Sequence, residues 1–307
     1  MKENRLKILV TGSKGQLANC IMEKSGCISP ACEFNYFFKN ENELDITNKD
    51  NVELVLNEIN PDIIINCAAY TNVEMAETVD NELAYAVNVN GPKYLAEFCK
   101  NNDKTPLLIH ISTDYVFDGN MNTPYEESSP KIPQNQYGKT KLYGEEEIIK
   151  SGCNYIILRT SWLYSSNGNN FFKKMINKVL DYSTDEIFAP IDEVSVPTNA
   201  RNLADAIINI CHEYINAENK ENLNGVYHYV ANGIASRYDF LSAIYEYTKK
   251  EFGTNKKITP CSIENFKSNV KRPKYSVMDN SKLKNTFKSV KFYDWRESVR
   301  IEIRNMF

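Results

Sequence analysis

A tyrosine and a lysine with the spacing YGKTK are the pair in this sequence best suited to proton transfer. Tyr137 and Lys141 are four residues apart, which puts both side chains on one face of a helix. A nearby ammonium group favours the phenolate, so we expect the pKa of Tyr137 to fall from ~10 towards neutrality. Such a phenol can protonate a carbonyl oxygen or accept a proton from a hydroxyl. Tyr and Lys are abundant here, so two solvated helix residues would give the same pattern.

Hydroxyl and carboxyl side chains stand upstream of this pair, in the stretch LLIHISTDYVFDG. An apolar run at 107–111 reads as a buried strand and delivers Ser112, Thr113 and Asp114 to its carboxyl end. Open α/β sheets bind their ligands at that end of the strands. We therefore expect Thr113 to hydrogen-bond the substrate oxygen that Tyr137 protonates. Ser112 lacks the GxSxG context of a serine nucleophile.

Alternating strands and helices must position these side chains. The predicted strands are at 6–10, 34–38, 63–66, 107–111 and 155–158, and the predicted helices at 16–24, 51–59, 81–100 and 137–150. Near-continuous apolar strands separated by helices indicate a parallel sheet covered on both faces. The fold class is therefore α/β, a Rossmann-like doubly wound parallel sheet.

Beyond residue 159 the pattern loosens into Pro-punctuated segments, with helices predicted at 171–181, 199–215 and 237–252. Such insertions after a doubly wound core suggest a smaller C-terminal lobe that binds substrate. We assign 1–165 and roughly 199–215 to the dinucleotide-binding domain, because 199–215 reads as a sheet-covering helix. The ranges 166–198 and 216–307 are assigned to the substrate-binding lobe.

A glycine loop, TGSKGQLA, follows the first predicted strand. Gly12 and Gly15 allow a tight turn and close approach to a pyrophosphate at the next helix N-terminus, and Ala18 is small enough for helix–strand packing. A plain turn is the alternative, but its place after the first strand favours dinucleotide binding. Lys39 and Glu41 both follow the second strand, so the choice between NADPH and NADH stays open.

Two further stretches at strand ends have a structural alternative. Ala68 and Ala69 follow the third strand, where small residues would let a dinucleotide pass closely, although ordinary tight packing would select them too. Asp45 in LDIT is a candidate for contacting adenine, or it is a charge near a helix N-terminus.

Composition narrows the classes of function. Lys and Arg number 36 against 40 Asp and Glu, for a net charge of −4, which gives no basic footprint for nucleic acid or membrane. The N-terminal apolar run is too short for a signal peptide, and no stretch approaches the ~18 apolar residues of a membrane helix. Eight cysteines without a CxxC pair and only three histidines argue against a zinc site. We therefore predict reduced cysteines and a cytoplasmic protein.

Taken together, the motifs resemble one family, the dTDP-4-dehydrorhamnose reductases of the extended short-chain dehydrogenase/reductase superfamily. They run in family order over nearly the whole chain: LVTGSKGQLA, LDIT, INCAAYTNVEMAE, ISTDYVFDG, YGKTKLYGE, RTSWLY with GNNF, VPT and RPKYSVMD. ISTDYVFDG followed by YGKTK and RTSWLY is specific to this family and its near relatives, whereas the glycine motif indicates only the superfamily.

The resemblance implies reduction of a dTDP-linked 4-keto-6-deoxysugar by NADPH or NADH, in a monomer or homodimer. Tyr137 would protonate the C4 oxygen, Lys141 would lower its pKa and hold the nicotinamide ribose, and Thr113 would orient the carbonyl. The implied substrate-binding residues are Thr113, Asp114, Tyr115, Trp162, Asn170 and Arg272. The implied cofactor-binding residues are Gly12, Ser13, Gly15, Gln16, Leu17, Asp45, Ile46, Ala68, Ala69, Tyr70, Tyr137 and Lys141.

Departures from the family pattern keep other functions open. The usual DQ-x-G-x-PT segment reads DEVSVPT, with Glu193 and Ser195 substituted, so a related sugar-nucleotide reductase or epimerase is an alternative. Cys20 stands where some members have a glutamate that binds a dimer-bridging magnesium, so we expect no metal. A third alternative is a non-catalytic subunit like the regulatory subunit of methionine adenosyltransferase, which is similar to this family.

Overall fold

The computed structural model describes residues 5–26 and 34–307 of the chain. Its strands are Leu6–Thr11 (β1), Phe34–Lys39 (β2), Ile63–Asn66 (β3), Leu107–Thr113 (β4), Asn154–Thr160 (β5), Leu163–Tyr164 (β6), Glu186–Pro190 (β7), Val194–Ser195 (β8), Thr198–Asn199 (β9), Gly225–His228 (β10), Ala235–Ser236 (β11) and Lys257–Cys261 (β12). Its helices are Gln16–Gly26 (α1), Lys49–Ile59 (α2), Val73–Ala76 (α3), Asn81–Tyr85 (α4), Gly91–Asn101 (α5), Gln136–Ser151 (α6), Phe171–Leu180 (α7), Ala200–Asn216 (α8), Arg237–Phe252 (α9), Ser281–Thr286 (α10) and Trp295–Met306 (α11).

A six-stranded parallel sheet in the order β2-β1-β3-β4-β5-β10 forms the centre of the fold. Successive side chains of its strands point to opposite faces of the sheet, and each face has its own hydrophobic core. Ile8 and Val10 pack with α1 and α8, whereas Leu9 packs with α2 and α5. Burial on both faces explains why these strands read as continuous apolar runs rather than as alternating patterns. The predicted doubly wound parallel sheet is confirmed.

Helices on opposite faces create a crevice at one edge of this sheet. The helix after β1 packs on one face and the long helix after β3 on the other. Where neighbouring connections diverge in this way, the carboxyl ends of the strands border a crevice that takes ligands. The candidate site residues lie at this edge.

A second packing region stands outside the sheet and is built by α7, α9 and α11. Its core includes Phe172, Phe240 and Trp295, and β7 pairs in parallel with β12 beside it. None of the helices described here is both long and apolar enough to cross a membrane. The described cysteines are free thiols, and the predictions for Cys27 and Cys32 fall outside the described residues.

Most predicted elements match, and the differences are one π-helical turn and several elements beyond residue 159 that were not predicted, among them β7, β10, β12 and α11. The predicted helix at 81–100 is continuous but contains a π-helical turn, Ala86–Asn90, between α4 and α5. The predicted helix at 199–215 is α8, which packs against α1. Strand β10 was not predicted: it adds a sixth parallel strand beside β5, although 225–228 had been assigned to the substrate-binding lobe. The division into two domains otherwise stays a prediction.

Two glycines let α6 approach its neighbours closely. A Cβ atom on Gly138 would stand 2.2 Å from the carbonyl oxygen of Tyr115, and one on Gly144 would stand 2.1 Å from that of Asn88. Glycine is less favourable than alanine in a helix by ~1 kcal/mol. The two glycines therefore lower the intrinsic stability of α6 but allow its close contact with these carbonyl oxygens. The contact places Tyr137 and Lys141 against β4.

We predict that Gly144→Ala lowers the free energy of unfolding by ~1–3 kcal/mol, because the added methyl overlaps a backbone carbonyl that cannot rotate away. Denaturant unfolding measures the change. Gly26→Ala is the matched control, since a Cβ there meets nothing within 4 Å and should be neutral or stabilising. A Gly144→Ala protein as stable as the control variant would contradict the close helix contact.

Candidate active site

A cleft of about 900 Å³ opens between the sheet edge and the second packing region. It is bordered by the glycine loop, the ends of β4 and β5, and the start of α7 and α9. Many of the predicted site residues line it: Gly15, Gln16, Leu17, Ala69, Thr113, Asp114, Tyr115, Tyr137, Lys141, Trp162, Asn170 and Arg272. The remaining predicted residues, Gly12, Ser13, Asp45, Ile46, Ala68 and Tyr70, lie outside this lining.

The glycine loop forms the turn that its sequence predicts. Gly12 has a φ of +64°, and the N–H of Gly15 donates to the carbonyl oxygen of Gly12 at 2.8 Å. A side chain on Gly12 would stand 2.8 Å from the backbone of Ala68. Helix α1 carries no acidic residue in its first turn, so its positive end suits an anion such as a pyrophosphate. The loop therefore fits a dinucleotide.

The other candidate cofactor residues have local structural roles. The carboxylate of Asp45 accepts hydrogen bonds from the N–H and hydroxyl of Thr47 in a turn before α2, and Ile46 is buried against Gly91. Tyr70 donates its hydroxyl to Asp80, and partial desolvation together with this carboxylate raises the pKa of Tyr70 to about 12. Adenine contact by Asp45 stays a prediction, beside the turn role that these hydrogen bonds give it.

Thr113 and Tyr137 lie together at the cleft wall. Thr113 is buried and donates its hydroxyl to the Asp114 carboxylate at 3.1 Å. The ring of Tyr137 meets that of Tyr115 edge-on, with centroids 5.7 Å apart. Burial raises the pKa of Tyr137 to about 12, against the lowering effect of a hydrogen bond with Thr113.

The expectation of a lowered tyrosine pKa is therefore wrong for the protein without cofactor. Lys141 is 2% exposed, and its Nζ donates to the carbonyl oxygen of Ile111 at 2.7 Å and lies 3.1 Å from Nε2 of His110. The ammonium group is thus hydrogen-bonded to β4 and not to Tyr137. Burial lowers the pKa of Lys141 to about 8. At neutral pH the tyrosine is held as a phenol, the form that donates a proton.

Asp114 is the most heavily bonded carboxyl group of the cleft. Its oxygens accept the hydroxyl of Ser276 at 2.5 Å and that of Ser195 at 3.4 Å, besides that of Thr113. Burial nevertheless raises the pKa of Asp114 to about 6. Ser195, a departure from the family pattern, thus joins the hydrogen-bond network of a predicted substrate residue.

Trp162 lines the cleft in an unusual backbone conformation. Its φ is +43°, a region that costs bulky residues ~1–3 kcal/mol and is concentrated at functional sites. The guanidinium of Arg237 stacks 3.6 Å from the centre of the indole. Glu193 accepts hydrogen bonds from Nε and Nη2 of Arg237 at 3.0 and 2.8 Å. Arg237 was not among the predicted site residues, although its partner Glu193 had been identified as a departure from the family pattern.

Asn170 and Arg272 are both engaged in the structure. Asn170 caps α7 by accepting from the Lys173 N–H, and its amide donates to Gln16 of the first helix at 3.1 Å. Arg272 donates to Glu74 at 2.6 Å and to Ser268 at 2.9 Å. Because Glu74 belongs to α3, this ion pair joins two distant segments of the cleft lining.

A buried ion pair supports the site from behind. Glu145 of α6 accepts from Nε and Nη2 of Arg159 at 2.9 and 2.6 Å, and both side chains are at most 2% exposed. The hydroxyl of Ser112 also donates to Glu145. Ser112 is therefore a structural hydrogen-bond donor, which agrees with the absence of a nucleophile motif.

Comparison with known proteins places this geometry in a family. The family model described as RmlD substrate binding domain matches residues 6–306. A dTDP-4-dehydrorhamnose reductase of Aggregatibacter actinomycetemcomitans is 33% identical over 96% of this chain and 97% of its own. The chain belongs to the dTDP-4-dehydrorhamnose reductase family.

Solved structures of the reductase family agree in fold. A dTDP-4-dehydrorhamnose reductase from Clostridium acetobutylicum has a TM-score of 0.87 at 37% identity, covering 98% of this chain and 99% of its own. The enzyme from Bacillus anthracis, in complex with NADP, has a TM-score of 0.86 at 33% identity with the same coverage. The resemblance inferred from the motifs is confirmed.

For this member of the reductase family we predict that Asp114→Asn changes how stability depends on pH. Asp114 has a higher pKa in the folded protein than in the unfolded chain. Its carboxyl therefore does not destabilise the fold below the unfolded pKa of 3.8, and it destabilises the fold increasingly as the pH rises to about 6. At ~1.4 kcal/mol per pKa unit, the variant should gain up to ~3 kcal/mol over the wild type across this window.

Chemical denaturation at pH 4 to 8 measures this difference. Asp118→Asn is the control: a hydrogen bond from Tyr125 lowers the pKa of that carboxyl below 3.8, so this variant should lose stability by an amount that hardly changes between pH 4 and 8. A stability difference for Asp114→Asn that does not vary with pH would contradict the burial argument.

Proposed function

We propose that this protein reduces the C4 keto group of dTDP-4-dehydro-6-deoxy-L-mannose, giving dTDP-L-rhamnose, a precursor of cell-surface polysaccharide. One observation carries the proposal: Thr113, Tyr137 and Lys141 share one cleft with a dinucleotide-type glycine loop in a chain of this family. The cleft is large enough for a sugar nucleotide beside a cofactor.

NADPH or NADH, held at the glycine loop, would supply the hydride. Gly12 and Gly15 leave room for its pyrophosphate at the start of α1. The cations near the end of β2 are paired with carboxylates, Lys14 with Glu41 at 2.7 Å and Lys39 with Glu43 at 3.9 Å. A mixture of cations and carboxylates does not select between the 2′-hydroxyl of NADH and the 2′-phosphate of NADPH, so both cofactors belong in the assay.

Tyr137 acts as the proton donor to the C4 oxygen in this proposal. A pKa of about 12 keeps the phenol protonated at neutral pH, and proton donation is what reduction of a ketone requires. Thr113 lies beside Tyr137 and would offer a second hydrogen bond to the same oxygen by turning its hydroxyl away from Asp114. As negative charge develops on that oxygen, the two hydroxyl groups would stabilise it.

Trp162 and Arg272 serve the two ends of the substrate in this proposal. The indole of Trp162 would form an apolar wall for the sugar, and Arg237, stacked on the indole, would keep the ring from turning. Arg272 is the cation for the diphosphate, because a guanidinium pairs with phosphate oxygens in a bidentate manner. It must exchange its bond to Glu74 for one to the ligand.

The deciding assay follows oxidation of NADPH and of NADH with the 4-keto sugar nucleotide generated in situ. Consumption of cofactor with formation of dTDP-L-rhamnose supports the proposal. No consumption above background with either cofactor overturns it. Turnover only with another dTDP-4-keto sugar would assign a related reductase, and stable copurification with a second protein without turnover would assign a regulatory subunit.

Tyr137→Phe should reduce kcat by at least ~100-fold, the usual contribution of a positioned general acid. Cofactor affinity, measured by fluorescence titration, should change little, because the ring remains. Tyr143→Phe on the exposed side of the same helix is the control and should keep full activity. Retention of wild-type kcat by Tyr137→Phe would remove this residue from the acid role.

Arg272→Gln should weaken binding of dTDP by ~10–100-fold, since a charged hydrogen bond contributes ~1.5–3 kcal/mol. Glu74→Gln should instead strengthen binding several-fold, because Arg272 then has no competing carboxylate. Isothermal titration with dTDP measures both, and Lys271→Gln at an exposed neighbouring position is the control. Equal affinity in all three variants would place the diphosphate elsewhere.

A further inference from the structure

A carboxylate lies at the cleft wall, between β7 and β8. It belongs to Glu193, which lines the cleft and keeps 7% of its side chain exposed. The backbone carbonyl oxygen of Glu193 accepts the N–H of Arg237 at 3.1 Å, and its carboxylate pairs with the guanidinium of the same residue. Main chain and side chain of Glu193 are thus both held by the first residue of α9.

The two oxygens of this carboxylate have different surroundings. Oε1 accepts hydrogen bonds from Nε of Arg237 at 3.0 Å and from Nη2 at 2.8 Å. Within residues 5–26 and 34–307, no donor forms a hydrogen bond with Oε2, and the protein does not fully enclose this oxygen. A carboxylate oxygen only accepts hydrogen bonds. Oε2 of Glu193 is therefore an acceptor that a ligand in the cleft can reach.

Residues proposed to contact the sugar surround this acceptor. Arg237 stacks on the indole of Trp162 at 3.6 Å. Burial raises the pKa of Tyr115 well above its ordinary value, and the negative charge of Glu193 raises it further, against the positive charge of Arg237. Charges act in this way only over short distances, so Glu193 lies close to Tyr115. Because a carboxylate repels a diphosphate, the sugar is the part of the ligand that Oε2 can bind.

The family pattern has glutamine at this position, and a glutamine would present the opposite hydrogen-bonding group to the cleft. A guanidinium only donates, so the amide oxygen of a glutamine would face Arg237 and its N–H₂ group would face the cleft. Glu193 instead presents an acceptor at the same point. A sugar hydroxyl can donate to this acceptor, whereas a sugar carbon without a hydroxyl would leave Oε2 unpaired once the ligand displaces water.

The proposed substrate limits which hydroxyl this can be. In a dTDP-linked 4-keto-6-deoxysugar, C1 carries the diphosphate, C4 carries the keto group and C6 carries no oxygen, so the ring hydroxyls are those on C2 and C3. We propose that Glu193 is a specificity-determining residue, whose Oε2 accepts a hydrogen bond from the hydroxyl on C2 or C3 of the sugar. This inference rests on the proposed function. Arg237 has the separate role of holding Oε1 and the indole.

A comparison of substrates tests the inference. It measures kcat/KM for the 4-keto sugar nucleotide and for its 2-deoxy and 3-deoxy analogues. The wild type should prefer the hydroxylated substrate over one of the two analogues by ~10–100-fold, the contribution of a hydrogen bond to a charged group. In Glu193→Gln this preference should fall by ~3–10-fold, because a neutral amide forms a weaker hydrogen bond.

Two further variants separate specificity from support. Arg237→Lys keeps a cation beside Glu193 but removes the planar group that stacks on Trp162, so kcat/KM should fall by the same factor for all three substrates. Glu186→Gln, in a more exposed ion pair outside the cleft, is the control and should behave as the wild type. Equal losses for hydroxylated and deoxy substrates in Glu193→Gln would overturn the inference, because they assign Glu193 the same supporting role as Arg237.

Binding of the reduced product distinguishes this inference from the proposed function, since it needs no hydride transfer. Isothermal titration compares dTDP-L-rhamnose with its 2-deoxy and 3-deoxy counterparts, in the wild type and in Glu193→Gln. A preference for the hydroxylated sugar that Glu193→Gln reduces would support the inference, and the absence of turnover would then count against the proposed function alone. Equal affinity of the wild type for all three sugars would overturn the inference.

Discussion

The approach of α6 to the sheet is the constraint on which the site depends. Tyr137 and Lys141 reach the cleft because Gly138 and Gly144 let the helix backbone touch two carbonyl oxygens. The buried pair of Glu145 and Arg159 then ties the same helix to β5. Removing one partner of such a pair leaves an uncompensated charge, which typically costs ~3–5 kcal/mol. Chemistry and packing therefore share a single element.

Polar groups buried beneath the cleft form a continuous layer rather than isolated hydrogen bonds. Thr11, Asn66, His110 and Lys141 are linked through β1, β3, β4 and α6. In a low-dielectric interior each such group must find a partner. Because few arrangements satisfy all of them, the layer fixes the register of these strands and the position of the lysine nitrogen.

The sequence predicted what depends on local patterns. Apolar runs and glycine turns located the strands and the loop at Gly12, and the four-residue spacing placed Tyr137 and Lys141 on one helical face. Partners distant in the chain were beyond such patterns: Arg272 pairs with Glu74 across 198 residues, and β10 joins the sheet 65 residues after β5 ends. His110 could have been found, since a histidine inside the apolar run LLIHI signals a buried polar contact.

The tyrosine pKa shows why residue types are insufficient without geometry. A lysine four residues away suggested an acidic phenol, but its nitrogen is bound to Ile111 and His110 instead. Burial then dominates and raises the pKa of Tyr137 to about 12. The same two residues can thus give opposite shifts, depending on where one side chain points.

The strained backbone at Trp162 sets opposing demands on that position. A glycine would relax the φ of +43° at the expense of the indole surface on which Arg237 stacks. Selection for thermal resistance alone would favour the small residue, and selection for a shaped cleft the large one. Directed evolution of this protein for heat tolerance would therefore meet its trade-off first at this residue, in the wall of the cleft rather than in the core.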